Sequence, residues 1–234
     1  MNIPHFLLYI WTVLSDNTSS VKVRIEEMKE IDIKLKIVEF LLNSEPADTY
    51  LAAEVRFSFG SRRADIVSVS SDIATVYEIK SEKDSVERLV YQIDSYKEYF
   101  DYCYIVCVDK NLDAVRKKIS TNVGIIVVDD INVKRIRKAK RIARQEKLCL
   151  ASTIPVNELK KIVINKKGLS KYELCISLAN EKPLAEIKSL SRKFLLKNII
   201  KNFDIFHDEI GEILSPDDIL TITRMPPGRI LRVS

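Results

Sequence analysis

The spacing of hydrophobic residues along the chain changes from a helical period to a strand period and back again. Between residues 31 and 42, apolar residues recur at intervals of three and four, which predicts an amphipathic helix. Three short segments follow, with turn formers between them, and predict strands of an antiparallel meander at residues 50–59, 64–70 and 75–80. Helical spacing returns at residues 85–100, and the continuous apolar run at residues 102–108 predicts a strand covered on both faces.

The second half of the chain is predicted to be mainly helical. A short helix at residues 112–119 leads to a buried strand at residues 123–128, and the basic segment 134–147 suits a helix or, in its first half, an edge strand. Further helices are predicted at residues 156–164, 170–179, 186–200 and 216–222. We therefore expect an α/β fold with an αβββαβ core and a mixed central sheet at residues 21–148. An extension at residues 1–20 precedes this core, and an all-helical part at residues 149–234 follows it.

The composition is typical of a soluble globular protein, with 46% hydrophobic and 30% charged residues among 234. The apolar stretch at residues 6–14 is too short to cross a bilayer and is expected to dock as a helix or strand, so we expect no membrane contact and a cytoplasmic location. The four scattered cysteines lack the spacing of a zinc site, and we expect Cys103 and Cys107 to be small buried hydrophobic residues. The net charge of +5 fits a polyanionic partner without identifying one.

Charged residues at strand positions mark the candidate chemistry. Asp65 begins one predicted strand and Glu78 lies near the end of the next, although burying a charge is costly unless a partner or metal compensates it. Because side chains alternate along a strand, Glu78 and Lys80 share one face, and antiparallel pairing of the two strands would bring Asp65 beside Glu78. Two adjacent carboxylates favour a cation between them, and oxygen ligands select Mg²⁺ or Mn²⁺. Taken singly, each of these residues is better explained by a surface pair on a half-exposed strand. Taken together, their spacing and the elements that carry them favour the metal site.

The helix that follows carries polar residues at matching spacing. Gln92 and Tyr96 are four residues apart and so share one helix face, with Arg88 one turn earlier. This stripe could hold a phosphate or brace a metal site, or it could be a solvent-facing surface.

These residues resemble the motif of the PD-(D/E)XK, or restriction-endonuclease-like, nuclease superfamily. In that motif an aspartate on the second core strand precedes (D/E)-x-K on the third, which Asp65 and Glu78-Ile79-Lys80 match. The segment from Gln92 to Tyr96 resembles the QxxxY element of the RecB-like branch, and the local sequence is similar to small bacterial proteins near MmcB-like repair proteins. Arg63-Ala64 stands where the motif's name places proline. The resemblance covers residues 31–128 and implies a restriction-endonuclease-like core.

The resemblance also implies roles for individual residues. It makes Asp65 and Glu78 metal ligands together with the backbone carbonyl of Ile79, and Lys80 catalytic, with Gln92 and Tyr96 in the same site. Glu54 or Glu39 would be an additional acidic ligand.

Basic residues near this motif are candidates for contact with a nucleic acid, because backbone contacts are made by Lys and Arg. The candidates near the motif and in the basic segment are Arg62, Arg63, Arg88, Lys134, Arg135, Arg137 and Lys138. The leading expectation is a Mg²⁺- or Mn²⁺-dependent DNA nuclease of repair or of defence against foreign DNA. The resemblance also implies a homodimer, because many enzymes of this fold dimerise. Two alternatives stay open: a nucleic-acid-binding protein that does not cut, and an interaction module that acts through the helical part.

Overall fold

The computed structural model describes residues 27–163 and 168–223, so the predicted extension at residues 1–20 lies outside the described residues. Its α-helices are α1 (Glu30–Ser44), α2 (Leu89–Lys97), α3 (Leu112–Lys118), α4 (Lys147–Ser152), α5 (Val156–Ile162), α6 (Lys171–Glu181), α7 (Leu184–Glu209) and α8 (Pro216–Ile222). Its strands are β1 (Tyr50–Phe57), β2 (Arg62–Ser70), β3 (Ile73–Lys80), β4 (Tyr102–Val108), β5 (Gly124–Val128) and β6 (Val133–Arg137).

The six strands form one mixed sheet in sequence order. Antiparallel pairing joins β1 to β2 and β2 to β3, parallel pairing joins β3 to β4 and β4 to β5, and β6 returns antiparallel to β5. The predicted meander and the order αβββαβ from α1 to β4 are therefore confirmed, as is a mixed α/β fold with a helical C-terminal part.

Helices cover both faces of the sheet. The first core lies between the sheet and α2 to α6 with the first half of α7, and includes Val67, Val76, Cys103, Ile105, Cys107, Leu89, Ile93, Val115, Leu150, Leu174 and Leu195. The second core lies on the other face against α1, the end of α7 and α8, and includes Ile66, Tyr77, Ile79, Val106, Ile33, Ile37, Phe203, Phe206 and Ile219. The continuous apolar pattern of β4 and β5 follows from this double cover.

Helix α7 connects the two layers. Leu195 and Ile199 belong to the first core, whereas Phe203 and Phe206 belong to the second, so the helix passes the β1 edge of the sheet. The ring of Tyr50 on β1 lies 5.4 Å from that of Phe203. The sequence pattern predicts an end near residue 200, but the helix continues to Glu209 because these later aromatic residues find a core of their own.

A buried ion pair ties α7 to the sheet. Asp101 precedes β4 and is fully buried, and its Oδ2 accepts hydrogen bonds from the Ala74 amide at 3.0 Å and from Arg192 Nη2 at 3.1 Å. Lys188 contacts the other carboxylate oxygen, and the Arg192 guanidinium lies 4.7 Å from the centroid of the Tyr99 ring. The helical part and the sheet therefore share both apolar and ionic contacts.

A further predicted element differs from the structure. The helix predicted at residues 85–100 is α2, which begins only at Leu89, because Ser81 and Asp84 form a turn in which the Asp84 carboxylate accepts the Ser81 amide at 2.7 Å. Of the two alternatives for the basic segment 134–147, the edge strand in its first half is confirmed as β6, which pairs with β5, whereas the helix is wrong, since the described residues form no helix before Lys147. Among residues 27–163 and 168–223, no helix combines the length and apolarity needed to span a bilayer.

Candidate functional site

The regular alternation of β1 and β2 is interrupted at Glu54 and Asp65. Ala53 pairs with Ile66 and Val55 pairs with Ala64, but the ladder contains no pair between Glu54 and Asp65, the two residues that lie between these positions. Val55 contacts the first core, as Ala52 does, although strict alternation would place them on opposite faces. Glu54 accommodates this shift with φ of 55°, a left-handed conformation that costs a residue with a side chain about 1–3 kcal/mol. Such strain persists where the surrounding structure enforces it, often at functional sites.

Three carboxylates converge at this irregularity. Glu30 from the first turn of α1, Glu54 from β1 and Asp65 from β2 each place an oxygen atom within 4.8 Å of the other two. The ammonium of Lys34 lies 2.7 Å from Glu30 Oε1 and 2.5 Å from Glu54 Oε1, and Arg63 Nε lies 2.6 Å from Glu54 Oε2. We call Glu30, Glu54 and Asp65 the acidic cluster; two cationic side chains border it.

Charge and burial act in opposite directions within this group. Burial alone would lower the pKa of Lys34, but its hydrogen bonds to Glu30 and Glu54 raise that pKa above its ordinary value. Lys34 therefore remains a cation beside the acidic cluster.

Asp65 is the carboxylate most affected by its surroundings. Its Oδ2 accepts the backbone N–H of Ile79 at 2.8 Å, at the point where the β2–β3 ladder ends with the pair Ile66 and Tyr77. Burial, followed by the nearby charge of Glu78, raises the pKa of Asp65 to about 7. The predicted approach of Asp65 to Glu78 is thus present, and the Ile79 amide fixes the orientation of the Asp65 carboxylate.

A second group surrounds Glu78, which is 2% exposed. Lys80 Nζ lies 2.8 Å from Glu78 Oε1, and Gln92 Nε2 donates to the same oxygen at 2.5 Å. The Tyr96 hydroxyl donates to Glu78 Oε2, and burial together with the Glu78 charge raises the pKa of Tyr96, so the phenol keeps its proton. Helix α2 brings Gln92 and Tyr96 together on one face, and the structure therefore unites the four predicted residues of this group, here called the Glu78 group.

A cleft of about 250 Å³ opens beside the Glu78 group. Arg62, Arg63 and Arg88 line it, together with Gln92 and Tyr96. The three arginines predicted near the motif therefore lie next to the candidate catalytic residues, and they give the cleft a positive border.

The basic residues of β6 are placed differently. The four candidates there are Lys134, Arg135, Arg137 and Lys138. Strands β4 and β5 separate β6 from β3, which puts it about 14 Å away at the strand spacing of a sheet. Arg135 pairs with Glu45 at 2.6 Å, and Arg137 Nε donates to the Val123 carbonyl at 2.8 Å, whereas Lys134 and Lys138 are exposed. Two of the four candidates thus make contacts within the fold.

The acidic cluster contains one residue that the sequence pattern does not predict, Glu30, and it omits two predicted carboxylate ligands, Glu78 and Glu39. Glu78 belongs instead to the group that it forms with Lys80, Gln92 and Tyr96. Glu30 directly precedes the predicted start of α1, and an acidic residue in a first helical turn is the only signal in the sequence. Glu39 is exposed and lies nine residues further along the same helix, about 13 Å at 1.5 Å per residue. Of the two additional ligands predicted, only Glu54 lies in the acidic cluster.

Comparisons with known proteins identify relatives of the chain. The family described as bacteriophage P4 protein cII matches residues 23–222. Protein cII of Enterobacteria phage P4 is 29% identical over 150 residues, which cover 62% of this chain and 56% of that protein. The chain therefore matches just over half the length of this relative. A solved structure of a protein of unknown function from Silicibacter pomeroyi superposes with a TM-score of 0.37 and 14% identity, covering 47% of this chain and 70% of that one.

Proposed function

The chain belongs to the bacteriophage P4 protein cII family, and we propose that it is a metal-dependent nuclease that hydrolyses phosphodiester bonds of DNA. The observation that carries the proposal is the acidic cluster, whose oxygen atoms lie within 4.8 Å of one another. Its member Asp65 is near enough to buried Glu78 for the Glu78 charge to raise the pKa of Asp65. The same proposal makes the chain a member of the PD-(D/E)XK nuclease superfamily, whose motif its sequence resembles. We also propose that the protein acts in the cytoplasm, in repair or in defence against foreign DNA.

The donor set fits a hard divalent cation. All three members of the acidic cluster offer carboxylate oxygen, the ligand type that Mg²⁺ and Mn²⁺ prefer. Burial and the charge of Glu78 raise the pKa of Asp65 to about 7. A cation bound nearby would stabilise the ionised Asp65 carboxylate. Asp65, Glu54 and Glu30 would hold the ion, with Glu78 and the Ile79 carbonyl as the further predicted ligands.

Each side chain has a defined task in this scheme. A bound Mg²⁺ or Mn²⁺ supplies a water of lowered pKa and neutralises charge on the phosphodiester. Lys80 stabilises the negative charge that develops on the phosphate oxygens. Glu78 orients the Lys80 ammonium at 2.8 Å, and Gln92 and Tyr96 fix Glu78 in turn by donating hydrogen bonds to its two oxygens.

The cleft arginines bind the substrate backbone. Arg62, Arg63 and Arg88 present guanidinium groups, which suit phosphate oxygens because they donate several hydrogen bonds in one plane. The described part of one chain carries one such site, so cutting both strands of a duplex requires two successive cuts or a homodimer.

A second candidate is a nucleic-acid-binding protein with this fold that does not cut. The ion pairs of Lys34 and Arg63 favour it, because these cations already compensate part of the charge that a metal ion would meet. An interaction module acting through the helical part has less support, since Leu174 and Leu195 of that part are buried in the first core.

The test is nicking of a supercoiled plasmid in Mn²⁺ by the full chain and two variants. We expect Asp65→Asn and Lys80→Met each to lose at least about 100-fold in rate, the effect of removing one charge-stabilising group. Lys193→Met, an exposed change on α7 among residues not assigned to the site, is the matched control and should cut normally. Circular dichroism would establish that the variants are folded. Equal nicking by both site variants and the wild type would overturn the proposal, and salt-sensitive DNA binding without nicking would favour the second candidate.

A further inference from the structure

Exposed aromatic rings lie in the loop at residues 58–60, against that loop, and in the cleft that follows it. Phe59 is 42% exposed and Tyr172 of α6 is 53% exposed, and their ring centroids are 5.6 Å apart. Tyr91 of α2 is 57% exposed, and the Arg62 guanidinium lies 4.2 Å from its ring centroid. Tyr91 lines the cleft, and Phe59 lies in the chain between Phe57 and Ser61, which also line it. Aromatic side chains normally bury much of their surface, so accessible rings in and next to the cleft suggest contact with a ligand.

The backbone holds Phe59 in this position. Ser58, Phe59 and Gly60 have φ of 47°, 56° and 82°, three consecutive left-handed residues of which only one is glycine. The Phe59 amide donates to Ser152 Oγ at 3.1 Å, which fixes the loop to α4. Because left-handed backbone is unfavourable for residues with a side chain, the fold enforces the loop's outward presentation of this ring.

Charge identifies the kind of ligand. Ser61, Arg62 and Arg63 follow the strained loop directly and line the cleft with Arg88, so aromatic faces and guanidinium groups border the same space. Flat apolar faces beside positive charge match a chain that combines planar bases with phosphates. In a duplex the bases are paired and stacked on one another, so only an unpaired strand offers its base faces to protein rings.

We propose that the substrate is single-stranded nucleic acid whose bases stack on Phe59, Tyr172 and Tyr91 while its phosphates contact the cleft arginines. This inference rests on the proposed function, because it names the substrate class of the same site. It also assigns a role to α6, which contributes Tyr172 beside Phe59.

The experiment is fluorescence anisotropy of a labelled oligothymidylate, and of a labelled duplex, with the full chain in EDTA. We expect Phe59→Ala, Tyr172→Ala and Tyr91→Ala each to weaken single-strand binding by about 5- to 100-fold, the loss expected for one stacked base. Phe59→Tyr keeps a ring and should bind single strands more tightly than Phe59→Ala. Ile131→Ala removes a more accessible apolar side chain, 86% exposed, from the β5–β6 turn and should have no effect.

The outcomes separate this inference from the nuclease proposal. Binding by the three alanine variants that equals binding by Ile131→Ala, or wild-type preference for the duplex, would overturn the inference even if the wild type nicks plasmid. Weakened single-strand binding in these variants, with no cutting by any form in Mn²⁺, would support the inference and remove the nuclease proposal. Chelation by EDTA keeps the binding measurement free of cleavage.

Discussion

Replacing Asp65 with asparagine should change how stability depends on pH. The substitution keeps the shape of the side chain and an oxygen that can accept the Ile79 amide, now 2.8 Å from the carboxylate, but it removes the charge. Asp65 has a pKa of about 7 in the folded protein against an ordinary value of 3.8, because burial and the charge of Glu78 disfavour its ionised form.

The size of the effect follows from that difference. About 3 pKa units at 1.36 kcal/mol per unit correspond to an upper limit of about 4 kcal/mol. The sign follows from proton binding. The folded state holds the proton more tightly, so this contribution to stability is fully present below about pH 4 and is lost as the pH rises through about 7. The asparagine amide does not titrate, and the variant should therefore gain stability relative to the wild type as the pH rises.

Urea unfolding followed by circular dichroism in EDTA, at a series of pH values, measures this difference. The free energy of unfolding of Asp65→Asn minus that of the wild type should increase by up to about 4 kcal/mol between about pH 4 and 8. Asp129→Asn is the control, since backbone hydrogen bonds from Asn132 and Ile131 lower the pKa of the exposed Asp129. Its difference should stay flat above about pH 5. A flat or falling difference for Asp65→Asn would refute the reasoning about its burial and its proximity to Glu78.

Two further predictions concern buried polar contacts. Tyr96→Phe removes a hydrogen bond to buried Glu78 and should cost about 1–3 kcal/mol in urea unfolding and lower the nicking rate; unchanged stability and rate would show that the contact has no role. Arg192→Met leaves buried Asp101 without its guanidinium partner and should cost about 3–5 kcal/mol in one cooperative transition. The exposed Lys193→Met is its control, and separate melting of the sheet and helices in Arg192→Met would contradict the shared core.

Local periodicity is sufficient to predict much of the fold and part of the site. A period of two places Glu78 and Lys80 on one face, and a four-residue spacing places Gln92 and Tyr96 on one side of α2. The short turn between β2 and β3 then brings Asp65 toward Glu78. Each of these relations depends on residues close in sequence or on one hairpin, which is why pattern alone can indicate them.

The remaining features depend on contacts between distant parts of the chain. The alternation of β1 changes at Glu54 through a left-handed residue that no local propensity favours. Glu30 joins the acidic cluster only because α1 packs across the sheet with its first turn toward β1 and β2. The sequence pattern assigns Arg135 to a basic surface, whereas in the structure Arg135 pairs with Glu45, ninety residues away in the chain. Local pattern does not indicate this contact, because it depends on the order of the strands.

Calorimetric titration of Mn²⁺ into the wild type, Asp65→Asn and Asp129→Asn tests the central claim most directly. We predict that the wild type and Asp129→Asn bind the ion and that Asp65→Asn does not, because Asp65 is a half-buried member of the acidic cluster and Asp129 lies outside it. Absence of Mn²⁺ binding in the folded wild type, or equal binding in Asp65→Asn, would contradict a metal site at the acidic cluster and with it the proposed hydrolysis.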